Sequence, residues 1–284
     1  MVAGRVAATR PSPTSEVRLD VAARFAHVRI ATWNVNSLNA RLERVDEWLD
    51  YAKPDVVLMQ ETKLADDQFP HDRYDEQGYE SLHCGEGQWN GVAILSRVGI
   101  DDSVKGFADG GEADPEARLV TATCGGVRVT SVYVPNGRAV DHEHYQYKLG
   151  WLARLRAHLD ADTAADQQVL VGGDFNICPE DRDVWDPDNP APRTHVTEAE
   201  REALAHICDW GLTDVFRAQY DEDRVFSWWD YRDGAFHKKM GLRIDLLLGS
   251  ESIASAARFC LVDRNARKGK KPSDHAPVFV DLEL

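Results

Sequence analysis

The segment VRIATWNVNSLNARLERVDEWLDYAKPDVVLMQE, residues 28–61, predicts a strand, an amphipathic helix and a second strand. Apolar residues recur at helical spacing over residues 38–52, and Pro54 ends that helix. Each flanking strand closes on a polar residue, Asn34 in the first and Glu61 in the second. The segment therefore places polar side chains at the ends of two strands that one helix connects.

A second strand–helix–strand unit follows at residues 127–174, and its strands end at Tyr133 and Asp174. The repetition suggests two similar halves. A third helix is predicted over residues 197–210, with Thr197 at its capped start and Gly211 as its stop. The nine predicted strands are 28–34, 56–61, 91–96, 118–124, 127–134, 169–174, 243–248, 256–262 and 277–283.

Nine or more strands and three long helices predict a two-sheet core with helices outside it. Gly125-Gly126 predicts a hairpin between two of the strands. The polar segments 100–117 and 178–196 are expected to be surface loops of a single domain, residues 28–284. Residues 1–27 lack a continuous apolar stretch and are expected to form a flexible extension.

Composition restricts the class of protein. The net charge of −15 argues against a protein that coats nucleic acid, but it permits a basic rim around an acidic, metal-loaded site. Basic residues form two runs that lie just before Asp245 and Asp274, which indicates phosphate contact. The runs contain His237, Lys238, Lys239 and Arg243, and Arg264, Arg267, Lys268, Lys270 and Lys271.

Other classes lose their usual sequence support. The chain has no Gly-x-Ser-x-Gly, Gly-x-x-x-x-Gly-Lys, Gly-x-Gly-x-x-Gly or His-Glu-x-x-His motif. It has no apolar run of membrane-spanning length, so no membrane association is expected. Five cysteines without a Cys-x-x-Cys pair favour reduced thiols and a cytoplasmic location.

The remaining candidates for chemistry are polar residues that lie where apolar runs begin or end. Four positions lie at strand C-terminal ends and two at N-terminal ends, and antiparallel pairing can bring such ends to one edge. A cluster of carboxylates, amides, a phenol and an imidazole could hold a hard metal ion and attack a phosphate. These residues are Asn34, Glu61, Tyr133, Asp174 with Asn176, Asp245, and Asp274 with His275.

Some of these residues carry more weight than others. Asp245 interrupts an apolar run, where a carboxylate is costly unless it is paired, and His275 is the expected partner. Asp174 and Asn176 lie on one face, after two glycines that permit close backbone approach, although a capped turn would explain the same pattern. Trp228 suits either core packing or stacking on a sugar or base.

Taken together, several motifs in this order resemble the exodeoxyribonuclease III group of the endonuclease/exonuclease/phosphatase superfamily. The resemblance extends from Val28 to Leu284. The motifs are WNVNS at 33–37, QETK at 60–63, YVPNG at 133–137, GDFN at 173–176, FSW at 226–228, LRID at 242–245 and SDHAP at 273–277.

This resemblance implies an α/β fold, a four-layer α/β/β/α sandwich in which two mixed sheets pack face to face with helices outside. It implies a hydrolase that uses Mg²⁺ or Mn²⁺ to cleave phosphodiesters of double-stranded DNA in base excision repair. The expected activities are 3′→5′ exonuclease, abasic-site endonuclease and 3′-phosphatase, on DNA with abasic sites or blocked 3′ ends. We expect a cytoplasmic monomer that associates with the nucleoid when it acts.

The resemblance also implies roles for individual residues. The catalytic residues would be Tyr133, Asp174, Asn176, Asp245 and His275. The metal would be held from among Asn34, Glu61, Asp174, Asn176, Asp274 and His275. Substrate would contact Trp228, Leu242, Lys238, Lys239, Arg267 and Lys268. The general base is either Asp174 or the His275–Asp245 pair.

Two alternatives remain open at this stage. A phosphoesterase of the same superfamily could act on a lipid or inositol phosphate, and the Trp228 segment and the basic runs argue against it. A catalytically silent DNA-binding relative could keep the fold. The presence of all the expected catalytic residue types disfavours that reading.

Overall fold

The computed structural model describes residues 27–189 and 193–284. The extension predicted for residues 1–27 lies outside the described residues, apart from His27. Residues 190–192 of the predicted loop 178–196 lie outside them as well.

Two mixed sheets of six strands form the centre of the molecule. The first sheet has the spatial order β13 (Ala257–Val262), β14 (Val278–Leu282), β1 (Val28–Asn34), β2 (Val56–Gln60), β4 (Val92–Ser96) and β3 (Glu80–Cys84). The second has the order β5 (Asp101–Lys105), β6 (Leu119–Cys124), β7 (Val127–Tyr133), β8 (Val169–Asp174), β12 (Asp245–Ser250) and β9 (Leu212–Asp214). A separate ribbon pairs β10 (Trp228–Trp229) with β11 (Gly241–Leu242).

The two sheets share one pattern of strand directions. In each, one central pair is parallel, β1 with β2 and β7 with β8, and the other neighbours are antiparallel. A helix connects each parallel pair: α1 (Leu38–Ala52) in the first sheet and α3 (Glu143–Asp162) in the second. The two strand–helix–strand units predicted from the sequence are confirmed.

The remaining helices flank these units. Thr197 caps α4 (Glu198–Cys208): its hydroxyl accepts from the backbone N–H of Glu200, and the Glu200 carboxylate accepts from that of Thr197. The predicted start of this helix is confirmed, and the helix ends three residues before Gly211. The shorter helices are α2 (His71–Glu76), α5 (Val215–Gln219), α6 (Ala235–Lys238) and α7 (Glu251–Ala256). Within the described ranges, none of the helices combines the length and apolar character that a membrane span requires.

Alternation along the strands builds the layers. Ile30 and Leu58 of the first sheet pack with Val129 and Leu170 of the second between the sheets. Alternate residues of the same strands, such as Ala31 and Met59, point to the other face of the first sheet and pack with α1. Helices α3 and α4 cover the outer face of the second sheet. The predicted four-layer α/β/β/α sandwich is confirmed.

Gly172 marks where the two sheets approach each other closely. A Cβ atom at this position would lie 2.7 Å from Leu58 Cδ1 and 2.8 Å from Leu247 Cδ2. Leu58 belongs to the facing sheet, whereas Leu247 lies on neighbouring strand β12 of the same sheet. A Cβ atom at Gly173 would overlap the Val132 carbonyl oxygen of β7, so the close approach at the two glycines is both to the facing sheet and to the adjacent strands.

One loop prediction was wrong. Residues 101–105, expected within a surface loop, form edge strand β5, which is polar and largely exposed and so shows no apolar alternation. The hairpin prediction is confirmed, because Gly125 and Gly126 have φ values of 56° and 88° between the paired residues Cys124 and Val127.

Candidate active site

The strand ends meet at one edge of the sandwich, as the sequence predicted. Asn34 ends β1 and its Nδ2 donates to Glu61 Oε1 and to Asp174 Oδ2, both at 2.9 Å. Glu61 directly follows β2 in the first sheet, and Asp174 ends β8 in the second. A single amide therefore joins the carboxylates of the two sheets.

Strand register places the other catalytic candidates around Asp174. Tyr133 pairs with Asp174 across the parallel β7–β8 ladder, and Asp245 pairs with it across the antiparallel β8–β12 ladder. Since β12 runs opposite to β8, its first residue meets the last residue of β8. Asp245 Oδ2 lies 2.9 Å from His275 Nδ1, which confirms the predicted pair, and His275 Nε2 lies 3.8 Å from Asp174 Oδ2.

The pKa values of both His275 and Asp174 are raised, for different reasons. Burial alone would lower the pKa of His275, but the carboxylates of Asp245 and Asp174 raise it to about 10. Burial raises the pKa of Asp174 to about 7, although the adjacent His275 charge opposes this. At neutral pH the imidazole is therefore a cation, and Asp174 is close to the point where it exchanges a proton.

A metal ion fits this cluster. Ligand atoms of Glu61, Asp174 and His275 all lie within 4.8 Å of one another. Burial would raise the pKa of Glu61, but Lys63, whose Nζ lies 2.7 Å from Glu61 Oε2, brings it below its usual value. Glu61 is thus an ionised, partly buried carboxylate, which is the oxygen donor that hard divalent cations prefer.

Asn176 and Asp274 are held by hydrogen bonds within the protein. Asn176 Nδ2 donates to the Val134 carbonyl at 2.9 Å. Asp274 accepts from Asn36 Nδ2 at 2.9 Å and from Trp228 Nε1 at 3.1 Å. Both side chains line the cleft, so both can face a bound substrate.

The cleft has a volume of about 230 Å³ and contains residues that sequence reasoning missed. Asn136 lies in the YVPNG motif but carried no proposed role, and His195 lies in a segment that was expected to be a plain surface loop. The lining residues are Glu61, Tyr133, Asn136, Asp174, Asn176, His195, Trp228, Ile244, Asp274 and His275.

The predicted substrate contacts divide into two groups. Trp228 is half-buried in the cleft wall and pairs with half-buried Leu242 across the β10–β11 ribbon. Lys238, Lys239 and Lys268 are exposed. Trp228 is therefore available to a substrate in the cleft, and the three lysines present their charge to solvent.

Arg267 and Arg243 do not present charge to solvent, contrary to the sequence expectation. Arg267 is 7% exposed, because its guanidinium packs over aromatic rings and donates to the Ser273 carbonyl. Arg243 is 1% exposed, because it donates to the carboxylates of Asp183 and Asp214. The arginines and lysines of the two runs that are exposed are therefore Lys238, Lys239, Arg264, Lys268, Lys270 and Lys271.

Arg243→Met is expected to lower the free energy of unfolding by about 3 kcal/mol, because it leaves buried Asp183 with Arg217 alone and removes the partner of Asp214. DNA affinity should not change. Urea unfolding and a DNA titration measure the two quantities. Lys239→Met, in the same basic run but exposed, is the control and should leave stability unchanged. Weaker DNA binding by Arg243→Met at unchanged stability would contradict this assignment.

The two-sheet sandwich and its carboxylate–imidazole cluster define a phosphoesterase scaffold. The pattern of the Endonuclease/Exonuclease/phosphatase family matches residues 31–275, and the chain belongs to this family.

Individual relatives cover nearly the same region. The chain is 31% identical over 268 residues to exodeoxyribonuclease III of Haemophilus influenzae, covering 90% of this chain and 100% of the relative. Among solved structures, an AP endonuclease from Archaeoglobus fulgidus is 36% identical with a TM-score of 0.87. The 3′ phosphatase NExo from Neisseria, bound to a product DNA hairpin, is 37% identical with a TM-score of 0.86. Each of these structures covers 90% of this chain, and the match spans 100% of the solved chain.

Proposed function

We propose that this protein is a metal-dependent DNA repair nuclease that hydrolyses phosphodiesters in double-stranded DNA. The relatives are named as nucleases and a phosphatase of DNA. The observation that carries the proposal is the joining of Glu61 and Asp174 through Asn34, with the His275–Asp245 pair beside them. This arrangement supports the proposal, because the candidate acid, base and metal-ligand groups lie together at one edge of the sandwich.

Glu61 and Asp174 are the proposed principal ligands of Mg²⁺ or Mn²⁺. A divalent ion bound there would offset the negative charge that develops on the phosphate oxygens. Two protein carboxylates suit Mg²⁺, which keeps several waters and substrate oxygens in its coordination. Asn34 would orient both carboxylates through its Nδ2, since its Oδ1 accepts from the Asn36 backbone N–H.

Asp174 is the proposed general base and His275 the proposed phosphate contact. Burial raises the pKa of Asp174 to about 7 before a metal binds, and a bound cation lowers it. At neutral pH the ionised carboxylate can therefore take a proton from water through the oxygen that does not hold the metal. While it is protonated, the His275 imidazolium has no free lone pair, so in this state it serves neither as the base nor as a metal ligand. It can donate from Nε2 to a phosphate oxygen, while Asp245 fixes the ring through Nδ1.

Tyr133 and Asn176 would hold the phosphate. Burial, and then the nearby Glu61 charge, raise the pKa of Tyr133 well above its ordinary value, so the phenol keeps its proton and remains a hydrogen-bond donor. Asn176 keeps one amide N–H for the cleft after donating the other to Val134. Donors fixed in place before the reaction stabilise the charge that develops in the transition state.

A larger groove adjoins the cleft and offers a path for a DNA strand. It has a volume of about 720 Å³ and shares Tyr133 and Asn136 with the cleft. Its lining includes Trp89, which is 66% exposed, and Arg138. An exposed indole and a guanidinium in one groove suit base stacking together with phosphate contact. A lipid or inositol phosphate has no base to stack on the indole.

The decisive experiment uses three duplexes: one with a single abasic analogue, one with a recessed 3′ end and one with a 3′-phosphate. We expect cleavage of at least one of them in Mg²⁺ and none in EDTA, with the products showing which activity dominates. Failure on all three with Mg²⁺ or Mn²⁺ would overturn the proposal. Turnover of an inositol phosphate alone would favour the lipid-type alternative, and tight DNA binding without turnover would favour the silent relative.

We also propose that residues 28–284 act as one domain and that the protein works as a cytoplasmic monomer. Both sheets contribute to one site, which supports a single functional unit. The five cysteines are free thiols, as a reducing compartment allows. Light scattering at assay concentration tests the monomer, and a dimer at that concentration would contradict it.

A further inference from the structure

A fully buried ion pair lies directly beneath Asn176. Lys148 of α3 and Glu200 of α4 are each 0% exposed, and Lys148 Nζ donates to Glu200 Oε1. The same ammonium donates to the backbone carbonyl of Asn176 at 2.7 Å. Two helices are thus tied through one charged contact to the backbone that follows β8.

Glu200 also holds the loop that faces Asn176. Its Oε1 accepts from the backbone N–H of His195 at 2.9 Å. The His195 ring in turn contacts the Asn176 side chain: its Nε2 lies 3.0 Å from Asn176 Oδ1 and 3.1 Å from Asn136 Nδ2. The ion pair therefore holds Asn176 in two ways. Lys148 binds the backbone carbonyl of Asn176, and Glu200 holds His195, whose ring contacts the Asn176 side-chain amide.

The backbone at both held residues is unusual. Asn176 has a φ of 51° and His195 a φ of 81°, a region that residues other than glycine seldom occupy. Such conformations persist where surrounding contacts determine them. Here the contacts are two hydrogen bonds: Lys148 donates to the backbone carbonyl of Asn176, and the backbone N–H of His195 donates to Glu200.

Helix packing alone does not require this pair. The second sheet and its helices already share an apolar cluster that includes Leu152, Leu155, Leu204 and Ile207. Replacing a buried ion pair by uncharged residues of similar volume is often neutral for stability, because burial of two charges carries a large desolvation penalty. Its location beneath a cleft residue therefore points to a role in the site.

We propose that the Lys148–Glu200 pair is a positioning device that fixes the Asn176 amide in the orientation that receives the substrate phosphate. This inference rests on the proposed nuclease function. Neither residue touches substrate, so both act through Asn176. Since Asn176 would contribute most when charge develops on the phosphate, loss of the pair should lower kcat and leave KM nearly unchanged.

The test is the double variant K148M/E200Q. Methionine keeps the length of Lys148 but cannot donate to the Asn176 carbonyl, and glutamine keeps an acceptor for His195 without the charge. We expect kcat on the preferred DNA substrate to fall about 10- to 100-fold, as small misplacements of a catalytic group do. KM, DNA affinity and melting temperature should change little. K148Q/E200Q, which retains an N–H donor, should recover activity to within about 3-fold of the wild type.

A matched control uses the Arg128–Asp162 pair, which joins the opposite end of α3 to the same sheet. R128M/D162N should leave kcat unchanged. An unchanged kcat in folded K148M/E200Q, or an equal loss in the control, would overturn the proposal. If K148M/E200Q does not fold, Glu200→Gln alone should lower kcat about 3- to 10-fold, and an unchanged kcat would overturn it. Wild-type enzyme inactive on all DNA substrates would instead reject the proposed function.

Discussion

Asp174→Asn is expected to lower kcat about 10²- to 10⁴-fold, the range for removal of a general base. Asparagine has nearly the shape of aspartate, but it cannot take a proton from water. DNA affinity should stay within about 3-fold of the wild type, because the contacts to flanking phosphates are intact. Single-turnover cleavage and a DNA titration measure the two effects separately.

Asp263→Asn is the matched control for that variant. Asp263 begins the second Asp-x-Asn sequence of the chain, and both aspartates accept from the backbone N–H two residues on, at 3.0 Å for Asn265 and 2.9 Å for Asn176. Asp263 contacts Trp48 and does not line the cleft. An Asp174→Asn enzyme with more than about a tenth of wild-type kcat would remove Asp174 from the role of base.

Asp245→Asn is expected to lower kcat at pH 7.5 roughly 10²- to 10³-fold and to change the pH profile. Asp245 is the largest contribution that raises the pKa of His275, and burial opposes it. Without that charge the imidazole loses its proton at lower pH, and asparagine no longer selects the ring orientation.

The direction of the pH effect follows from the raised pKa. In the wild type the imidazolium is present below its folded pKa of about 10, so activity should fall only as the pH rises through that value. In Asp245→Asn this alkaline fall should move to lower pH, which a pH series of kcat would show. An unmoved alkaline limb would mean that another group titrates. Ionisation of Asp174 determines the acidic limb of the pH profile. Activity should rise as the pH rises through the pKa of Asp174, which is about 7 before a metal binds and which a bound metal ion lowers.

The sequence predicted those features that local pattern determines. The β1–α1–β2 unit follows from an apolar run, a helical repeat and Pro54. Asp245 with His275 was foreseeable because a carboxylate inside an apolar run needs a partner. Edge strands β3 and β5 were not found, since their residues are polar and partly exposed and show no alternation.

Features that depend on distant contacts were not predictable. Arg243 belongs to a basic run in the sequence, but its burial depends on Asp183 and Asp214, which other parts of the chain supply. In the sequence, Lys148 is a lysine within a predicted helix and cannot be told from an exposed one. Only the packing of α3 against α4 brings it beneath Asn176. The positive φ values of Asn176 and His195 could not be predicted, because neither residue is a glycine.

The order of strands in the chain has a consequence for when the enzyme becomes active. The second sheet is built from residues 101–250, and β13 and β14 then complete the first sheet beside β1. His275 precedes β14 and is the last of the clustered groups to be synthesised. A growing chain therefore carries Glu61, Asp174 and Asp245 but no imidazolium between the two aspartates. Such an incomplete chain lacks one of the catalytic groups, so activity is expected only after β14 has paired with β1 and completed the first sheet.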